Sequence, residues 1–270
     1  MSPTWDDGER PVWPRITALG WGRVALKGLV IALTVFGLLP FVIVLRALDA
    51  RRTAQGIVTF ASRVTLRIIG LRLKLSGQVH PDTQAFVANH STWLDIFVLT
   101  AAHPLNFVSK AEVAGWPGIG WVARGTGTVF IARRRTEAVE HRDKMAARLA
   151  AGDKLLFFPE GTSTDGQRVL SFRPTLFASV LREAFVGRTI QPISVKYHAP
   201  EGADPRLYAW WGDMDFAPHF LLMLALPRHG QVHVRFGEPL QPADFADRKA
   251  LSAAAENAVR AGFEGFRNVR

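Results

Sequence analysis

Cysteine is absent from the chain, which excludes disulfides, thiolate nucleophiles and cysteine-ligated metals together. The eight histidines are scattered. With no H-E-x-x-H element and no carboxylates at ligand spacing, nothing in the sequence calls for a metal, and the expectation is that no cofactor is needed. A nucleophilic serine is equally unsupported, because there is no G-x-S-x-G elbow and Ser91 adjoins His90 in sequence instead of being presented to it. Internal repeats and low-complexity tracts are lacking too. Negative charge is scarce. The 23 Asp and Glu face 33 Lys and Arg, a formal net charge of +10, and such an excess favours an anionic partner: an anionic membrane surface, an acidic carrier protein or nucleic acid. The strand-like segments lack the exposed aromatics of an RNA-reading sheet and no DNA-reading helix motif appears, so a nucleic-acid partner is not expected.

What is present begins with a hydrophobic run. Gly28 to Leu45, "GLVIALTVFGLLPFVIVL", holds eighteen residues without a charge. As a helix this run reaches about 27 Å, against a hydrocarbon core of about 30 Å. Leu29, Phe36, Leu39, Phe41 and Leu45 are its candidate membrane-binding residues. Basic residues flank it on both sides, Arg15, Arg23 and Lys27 before and Arg46, Arg51 and Arg52 after, so charge asymmetry sets no orientation. A true span and a helix dipping into one leaflet both remain open. A cleaved signal peptide fits less well, because the run lies late, contains Pro40 and leads into "RALDARR". The next stretch, "IVTFASRVTLRIIGLRLKL", sets apolar residues at helical spacing around Arg63 and Arg67, as a helix along a headgroup layer or a core-facing amphipathic helix would.

From about Leu71 short apolar runs alternate with helical patterns. The strand candidates are "RLKLSG", "AFVAN", "NFVSK", "TVFIAR", "KLLFFP", "IQPISVKY" and "VHVRFG", and the helix candidates lie near 92–101, 135–151, 175–186, 216–226 and 246–261. Strand and helix taking turns predict an α/β fold, a mostly parallel sheet flanked by helices, behind an N-terminal two-helix membrane-associated motif. The chain divides into a basic N-terminal segment over 1–27, membrane-binding helices over 28–70, an α/β domain over 71–240 and a C-terminal helix over 241–270. The length suits one domain of about 200 residues with an appendage. The loop "GWPGIGW", Gly115 to Trp121, reads as a pocket's apolar lip or as a packed turn.

Ligands of parallel sheets gather beyond the carboxyl ends of the strands, and three strand ends carry reactive side chains. "AFVAN" delivers Asn89 and His90, "TVFIAR" delivers Arg133 with Arg134 and Arg135 behind it, and "LLFFP" delivers Glu160-Gly161-Thr162-Ser163. His90 and Asp95 lie about 140° apart in projection on a regular helix and cannot meet on one face. If the helix starts only after His90, Asp95 in its first turn can hold the imidazole through Nδ1–H and leave Nε2 free to take a proton from a hydroxyl. The plainer alternative makes Thr92-x-x-Asp95 a capping-box variant and His90 a turn residue. Arg133 binds a phosphate or belongs to a solvated charge run. "FPEGTSTDG" is either a turn or a site loop. Within it Glu160 accepts from a substrate hydroxyl or braces the loop, and the Gly161 amide is a candidate oxyanion donor.

The blocks "NHSTWLD", "GTVFIARR", "LFFPEGTS" and "IQPISV", in this order over about a hundred residues, resemble the four motifs of the glycerolipid acyltransferase family, the lysophosphatidic acid acyltransferase group. His90 and Asp95 match its H-x4-D block, Gly127, Phe130, Ile131 and Arg133 the second, Phe158 through Thr162 the third, and Pro192 the proline of the fourth. The resemblance implies O-acyl transfer from an acyl-carrier-protein or coenzyme A thioester to a lysolipid hydroxyl. His90 would act as general base, Asp95 would orient it, and Arg133, Glu160, Gly161, Thr162 and Asn89 would help bind substrate. It also implies membrane lipids and an acyl carrier protein as partners, and residence at the inner, cytoplasmic membrane facing the cytosol. The oligomeric state is not implied.

One departure bears on the acceptor. The group continues its third motif as E-G-T-R, whereas here Ser163 stands in place of the arginine. A phosphomonoester thereby loses a charge-assisted contact of about 1.5–3 kcal/mol unless it is replaced. The continuation "STDGQRVLSFRPTLF", with "AWWGDMDFAPHFL" and "VHVRFGEPL", looks more like the bacterial subgroup that acylates lyso-ornithine lipids and related aminolipids. In that reading Asp213 and Asp215 face a cationic headgroup. Alternatively they are exposed loop aspartates, and Arg168 or Arg173 replaces the missing arginine and keeps a lysophosphatidate acceptor in play. The competitor from another class is a non-catalytic membrane-lipid-binding protein.

Overall fold

The computed structural model describes residues 5–131, 138–181 and 185–266. Two helices open the chain, α1 (Ala18–Ala47) and α2 (Arg51–Ile69). There follow β1 (Arg72–Ser76), β2 (Thr83–Ala88), α3 (Leu94–Ala102), β3 (Asn106–Lys110), α4 (Ile119–Gly125), β4 (Val129–Ile131), α5 (Ala138–Ala150), β5 (Leu155–Phe157), β6 (Thr189–His198), α6 (Phe216–Ala225), β7 (Gln231–Phe236) and α7 (Arg248–Glu264). Among the described residues the strands form one sheet in the order β1-β7-β6-β2-β5-β3-β4. The five strands from β6 to β4 run parallel, while β7 pairs antiparallel with β6 and carries β1 alongside it. All seven strand segments read from the sequence form strands.

The central strands are buried on both faces, which is why they read as continuous apolar runs and not as alternations. In β2, Phe86 and Ala88 point into the core shared with α3 and α6, and Ala85 and Val87 into the core shared with α5 and α7. β6 divides in the same way. Ile193, Val195 and Tyr197 face the first core, while Ser194 and Lys196 turn toward α7, where Ser194 Oγ donates to the Val259 carbonyl at 2.9 Å and Lys196 Nζ lies 4.3 Å from the centre of the Phe263 ring.

Two expectations need correction. The helix expected over 175–186 is a 3-10 turn, Leu176–Ser179, with residues 182–184 outside the described residues. That turn suffices to bury Phe177 and Val180, and Phe177 meets Phe157 of β5 edge-on. Within "GWPGIGW", expected to be a loop, α4 begins at Ile119. Gly120 lets it start there, since a Cβ at that position would fall 2.2 Å from the Ala114 carbonyl oxygen.

The apolar run is part of a longer helix than the uncharged stretch suggests. The 30 residues of α1 reach about 45 Å, and both ends rest on the α/β body. Near its start Arg23 Nε donates to the Ala225 carbonyl at 2.7 Å and Lys27 Nζ to the Ile69 carbonyl at 2.9 Å. Near its end Leu39 and Ile43 lie over Gly125, and Arg46 reaches Asn106 at 3.5 Å. The outer side is bare: Leu19, Leu26 and Leu33, seven residues apart, are exposed together with Leu29, Phe36 and Phe41. Leu39 and Leu45 are half-buried.

Candidate active site

The parallel strands β2, β5 and β6 end side by side, so their carboxyl ends bring His90, Glu160 and Tyr197 to one edge of the sheet. Between β2 and α3 the turn His90 to Trp93 is held by one side chain. Asp95, in the first turn of α3 and fully buried, accepts through Oδ2 from the Ser91 and Thr92 amides at 2.8 and 3.1 Å and meets His90 Nδ1 at 2.8 Å. One carboxylate oxygen thus accepts from the Thr92 amide, as half of a capping box does, and meets the imidazole, as a dyad requires. The other oxygen, Oδ1, accepts from the Tyr197 hydroxyl at 2.7 Å.

With Nδ1 facing the carboxylate, His90 Nε2 has no hydrogen-bond partner among the described residues, and about a fifth of the side chain (21%) is exposed. Phe158 stacks on the ring at 4.1 Å and 16°, which fixes its plane. The arrangement presents a proton acceptor to anything that enters above Phe158.

Glu160 is 1% exposed and holds the loop together. Its Oε1 accepts from the His90 amide and its Oε2 from the Leu170 amide, each at 2.7 Å. Burial pushes its carboxyl from the ordinary 4.5 up to about 8, opposed by the two amide hydrogen bonds and aided by the charge of Asp95. The Thr164 amide donates back to the His90 carbonyl at 3.0 Å, so the two motif loops clamp each other through main chain. Both carboxylate oxygens of Glu160 are thus engaged by the protein, the bracing role of the two weighed above.

The other predicted residues fall into three groups. Asn89, 1% exposed, ties β2 to β6: its amide donates to the Val195 carbonyl at 2.9 Å and accepts from the Val195 amide at 2.8 Å. The Gly161 amide donates to the Phe158 carbonyl at 3.1 Å and closes the turn, which takes it from the oxyanion role. Thr162, 6% exposed, accepts from the Trp5 amide at 3.4 Å and donates to the Ser163 carbonyl at 3.3 Å. Asn89 and Thr162 thus spend hydrogen bonds on holding the fold. Arg168 is spent on Asp165 at 2.8 Å and lies over Trp5. Asp213 pairs with Arg10, and Asp215 is exposed at the start of α6. Arg133 lies outside the described residues.

Arg173 stands apart. The positive φ of Gly161 (+71°) leaves space in which a Cβ would come within 3.3 Å of the Arg173 guanidinium. Among the described residues that guanidinium has no hydrogen-bond or ion-pair partner, and the side chain is exposed. Residues 5–13, part of the segment expected over 1–27 to be a basic N-terminal stretch, pack on the body, beginning at Trp5, whose amide meets Thr162. Arg206 pairs with Glu9 at 3.2 Å, Trp5 contacts Trp211 and Trp13 contacts His219. No local pattern announced this packing, because its partners lie about 200 residues away.

Comparison with known proteins bears on this geometry. The family model described as Acyltransferase matches residues 75–196, which contain both dyad residues and the Glu160 loop. A lyso-ornithine lipid O-acyltransferase from Rhodobacter capsulatus is 45% identical over 96% of this chain and 97% of its own. The chain belongs to the acyltransferase family. It is an acyl-transferring enzyme whose substrates are lipids, and its long apolar helix fits association with membranes. A 1-acyl-sn-glycerol-3-phosphate acyltransferase from Neisseria meningitidis serogroup B is 30% identical over 72% of this chain and 74% of its own. In fold the chain resembles the crystal structure of the 1-acyl-sn-glycerophosphate (LPA) acyltransferase PlsC from Thermotoga maritima, with a TM-score of 0.68 and 21% identity over 93% of this chain and 96% of that one.

Proposed function

We propose that this enzyme transfers a fatty acyl group from an acyl-carrier-protein or coenzyme A thioester to the hydroxyl of lyso-ornithine lipid or a closely related lyso-aminolipid. The observation that carries the acceptor assignment is the 45% identity along nearly the whole chain to a protein of that name. Ser163 in place of the phosphate-contacting arginine points the same way. His90 Nε2 takes the proton of the acceptor hydroxyl as its oxygen attacks the thioester carbonyl. The C–S bond then breaks and the proton passes to the departing sulfur, with no acyl-enzyme and no cofactor. Asp95 holds the ring in the required tautomer. Arg173, beside Gly161 and without a partner among the described residues, is the cation that meets the anionic group of the acceptor, which in an ornithine headgroup is the carboxylate.

The docking of α1 along the body supports a helix lying in one leaflet. To cross the bilayer it would carry α4 and α6 into the hydrocarbon with it. We place the enzyme at the inner membrane, its catalytic edge on the cytosolic side where carrier-protein and coenzyme A thioesters are made, and the excess positive charge suits both anionic lipid and an acidic carrier.

The test is an acceptor comparison with purified enzyme in detergent, offering each thioester with lyso-ornithine lipid or with lysophosphatidate and reading products by mass spectrometry. Diacylated ornithine lipid is expected, abolished by His90→Ala and with the acceptor KM raised about tenfold or more by Arg173→Gln. Phosphatidate as the sole product would replace the acceptor assignment by the one carried in the name of the Neisseria relative. Substantial turnover by His90→Ala would remove His90 from the base role.

A further inference from the structure

Tyr197 is the penultimate residue of β6, and its side chain is buried between the sheet and α3. The ring packs 5.5 Å from that of Tyr208, whose own hydroxyl is occupied by the Gly230 amide. The Tyr197 hydroxyl is instead aimed at Asp95 Oδ1, 2.7 Å away. This pairing matters because the two oxygens of Asp95 are so differently supplied. Oδ2 has the Ser91 and Thr92 amides and His90 Nδ1 around it. Oδ1, on a residue with no exposed surface, has no donor but Tyr197 among the described residues.

We infer that Tyr197 is a positioning residue for acyl transfer, setting the rotation of the Asp95 carboxylate so that Oδ2 faces His90 Nδ1 and the imidazole presents Nε2 to the acceptor hydroxyl. The inference rests on the reading of His90 as general base. In a site closed to solvent, an ionised oxygen without a donor is costly, and the carboxylate without Tyr197 would turn about its Cβ–Cγ bond in search of one. Any such turn draws Oδ2 away from the ring. The hydroxyl also holds the negative charge in place at the moment the imidazole becomes cationic, when the orientation of Asp95 counts most. Tyr197 itself transfers no proton: the hydroxyl proton of the acceptor goes to Nε2 and on to the leaving sulfur, and the phenol keeps its own. Burial, with the charge of Asp95, pushes the phenol well above its ordinary range, so it donates throughout the working pH range. An apolar face of β6 ending in tyrosine would satisfy core packing equally well with phenylalanine, and only the hydroxyl needs this explanation.

The experiment is a double-mutant cycle on kcat with Tyr197→Phe, Asp95→Asn and the two combined, beside His90→Ala. Free thiol released from an acyl thioester is followed in the presence of whichever lysolipid the wild type uses best. Because the chain has no cysteine, a thiol reagent reads product alone. Tyr197→Phe is expected to lower kcat about tenfold or more, the cost of one hydrogen bond to a charged group, with KM for both substrates unchanged, and to add nothing in the Asp95→Asn background. The same fold-loss in both backgrounds, or a raised KM, would assign Tyr197 to packing and overturn the inference. So would an unimpaired Tyr197→Phe beside an impaired Asp95→Asn, an outcome that leaves the role of His90 standing. Near-wild-type turnover by His90→Ala and Asp95→Asn would instead remove the base reading, and this inference with it. Should Tyr197→Phe fail to fold, 3-fluorotyrosine at 197 preserves ring and hydroxyl while changing donor strength. A kcat that changes with Asp95 present and not in Asp95→Asn is expected, and an unchanged kcat would overturn the inference.

Discussion

Glu160 shows how one residue joins the stability of the molecule to the geometry of its site. Its carboxyl, at about 8 in the folded chain against an ordinary 4.5, binds its proton more tightly folded than unfolded. Stability from this group is therefore fully present below about pH 4.5 and is lost as pH rises toward 8, because over that window only the unfolded chain gives up the proton. The melting temperature of the wild type is expected to fall between pH 5 and 8. Glu160→Gln should melt lower at acid pH, since a side-chain NH2 now faces one of two amide donors, and should show a flatter pH dependence. Parallel melting curves for the two proteins across that range would mean that another group sets the slope. The sequence placed Glu160 in a strand-end turn and named bracing as one of its two roles. It could not show that both oxygens are taken by the His90 and Leu170 amides, because hydrogen bonding to main chain at a sequence distance of 70 residues leaves no pattern in the side chains.

Among the elements, α1 was legible as a hydrophobic helix and illegible in how it lies. Its eighteen-residue uncharged core satisfied the length rule for a span, yet contacts with α6 near the start and α4 near the end run it along the body, and its bare stripe gives it a lipid-facing side. A fully buried leucine is worth about 1.5–3 kcal/mol, so replacing Leu26, Leu29 and Leu33 together by lysine is expected to lower partitioning into neutral lipid vesicles at least about tenfold. The three are 66%, 58% and 66% exposed, so the melting temperature in detergent should hold. Co-sedimentation with vesicles measures the first effect and circular dichroism the second. Retained partitioning would move the membrane contact elsewhere. The missed α4 has a similar explanation. Pro117 and three glycines within "GWPGIGW" read as loop chemistry, and only the approach of the Ala114 carbonyl makes Gly120 a packing requirement instead of a breaker.

At the scale of the whole molecule, the excess of positive charge becomes a surface property. Arg52, Arg63 and Arg67 on α2 and Arg72 and Lys74 on the edge strand β1 are exposed, where the last two also discourage edge-to-edge pairing. Charge of this kind acts over a Debye length, about 10 Å at 0.1 M salt and about 3 Å at 1 M. Binding to vesicles containing anionic lipid should therefore weaken steeply over that range, while binding to neutral vesicles through the α1 stripe should persist. Equal salt sensitivity of the two would mean that charge and apolar face do not act separately.

The sequence by itself determined the α/β alternation, the seven strands, the hydrophobic N-terminal helix and the H-x4-D, E-G-T and proline blocks that resemble the family, because strand burial, helical period and motif spacing are local and are written in neighbouring residues. Only the tertiary structure decided that one oxygen of Asp95 meets both the Thr92 amide and the imidazole, that Asn89 and Glu160 hold main chain, that Arg173 comes to rest beside Gly161 and that Tyr197 closes on Asp95. The contacts of Asn89, Glu160 and Tyr197 depend on which strand ends adjoin, and those of Asp95 and Arg173 on the conformation of the turn and loop that carry them. Adjacency in the sheet is set by packing between segments far apart in the chain, 106 residues for Asn89 and Val195, and not by anything either segment carries alone.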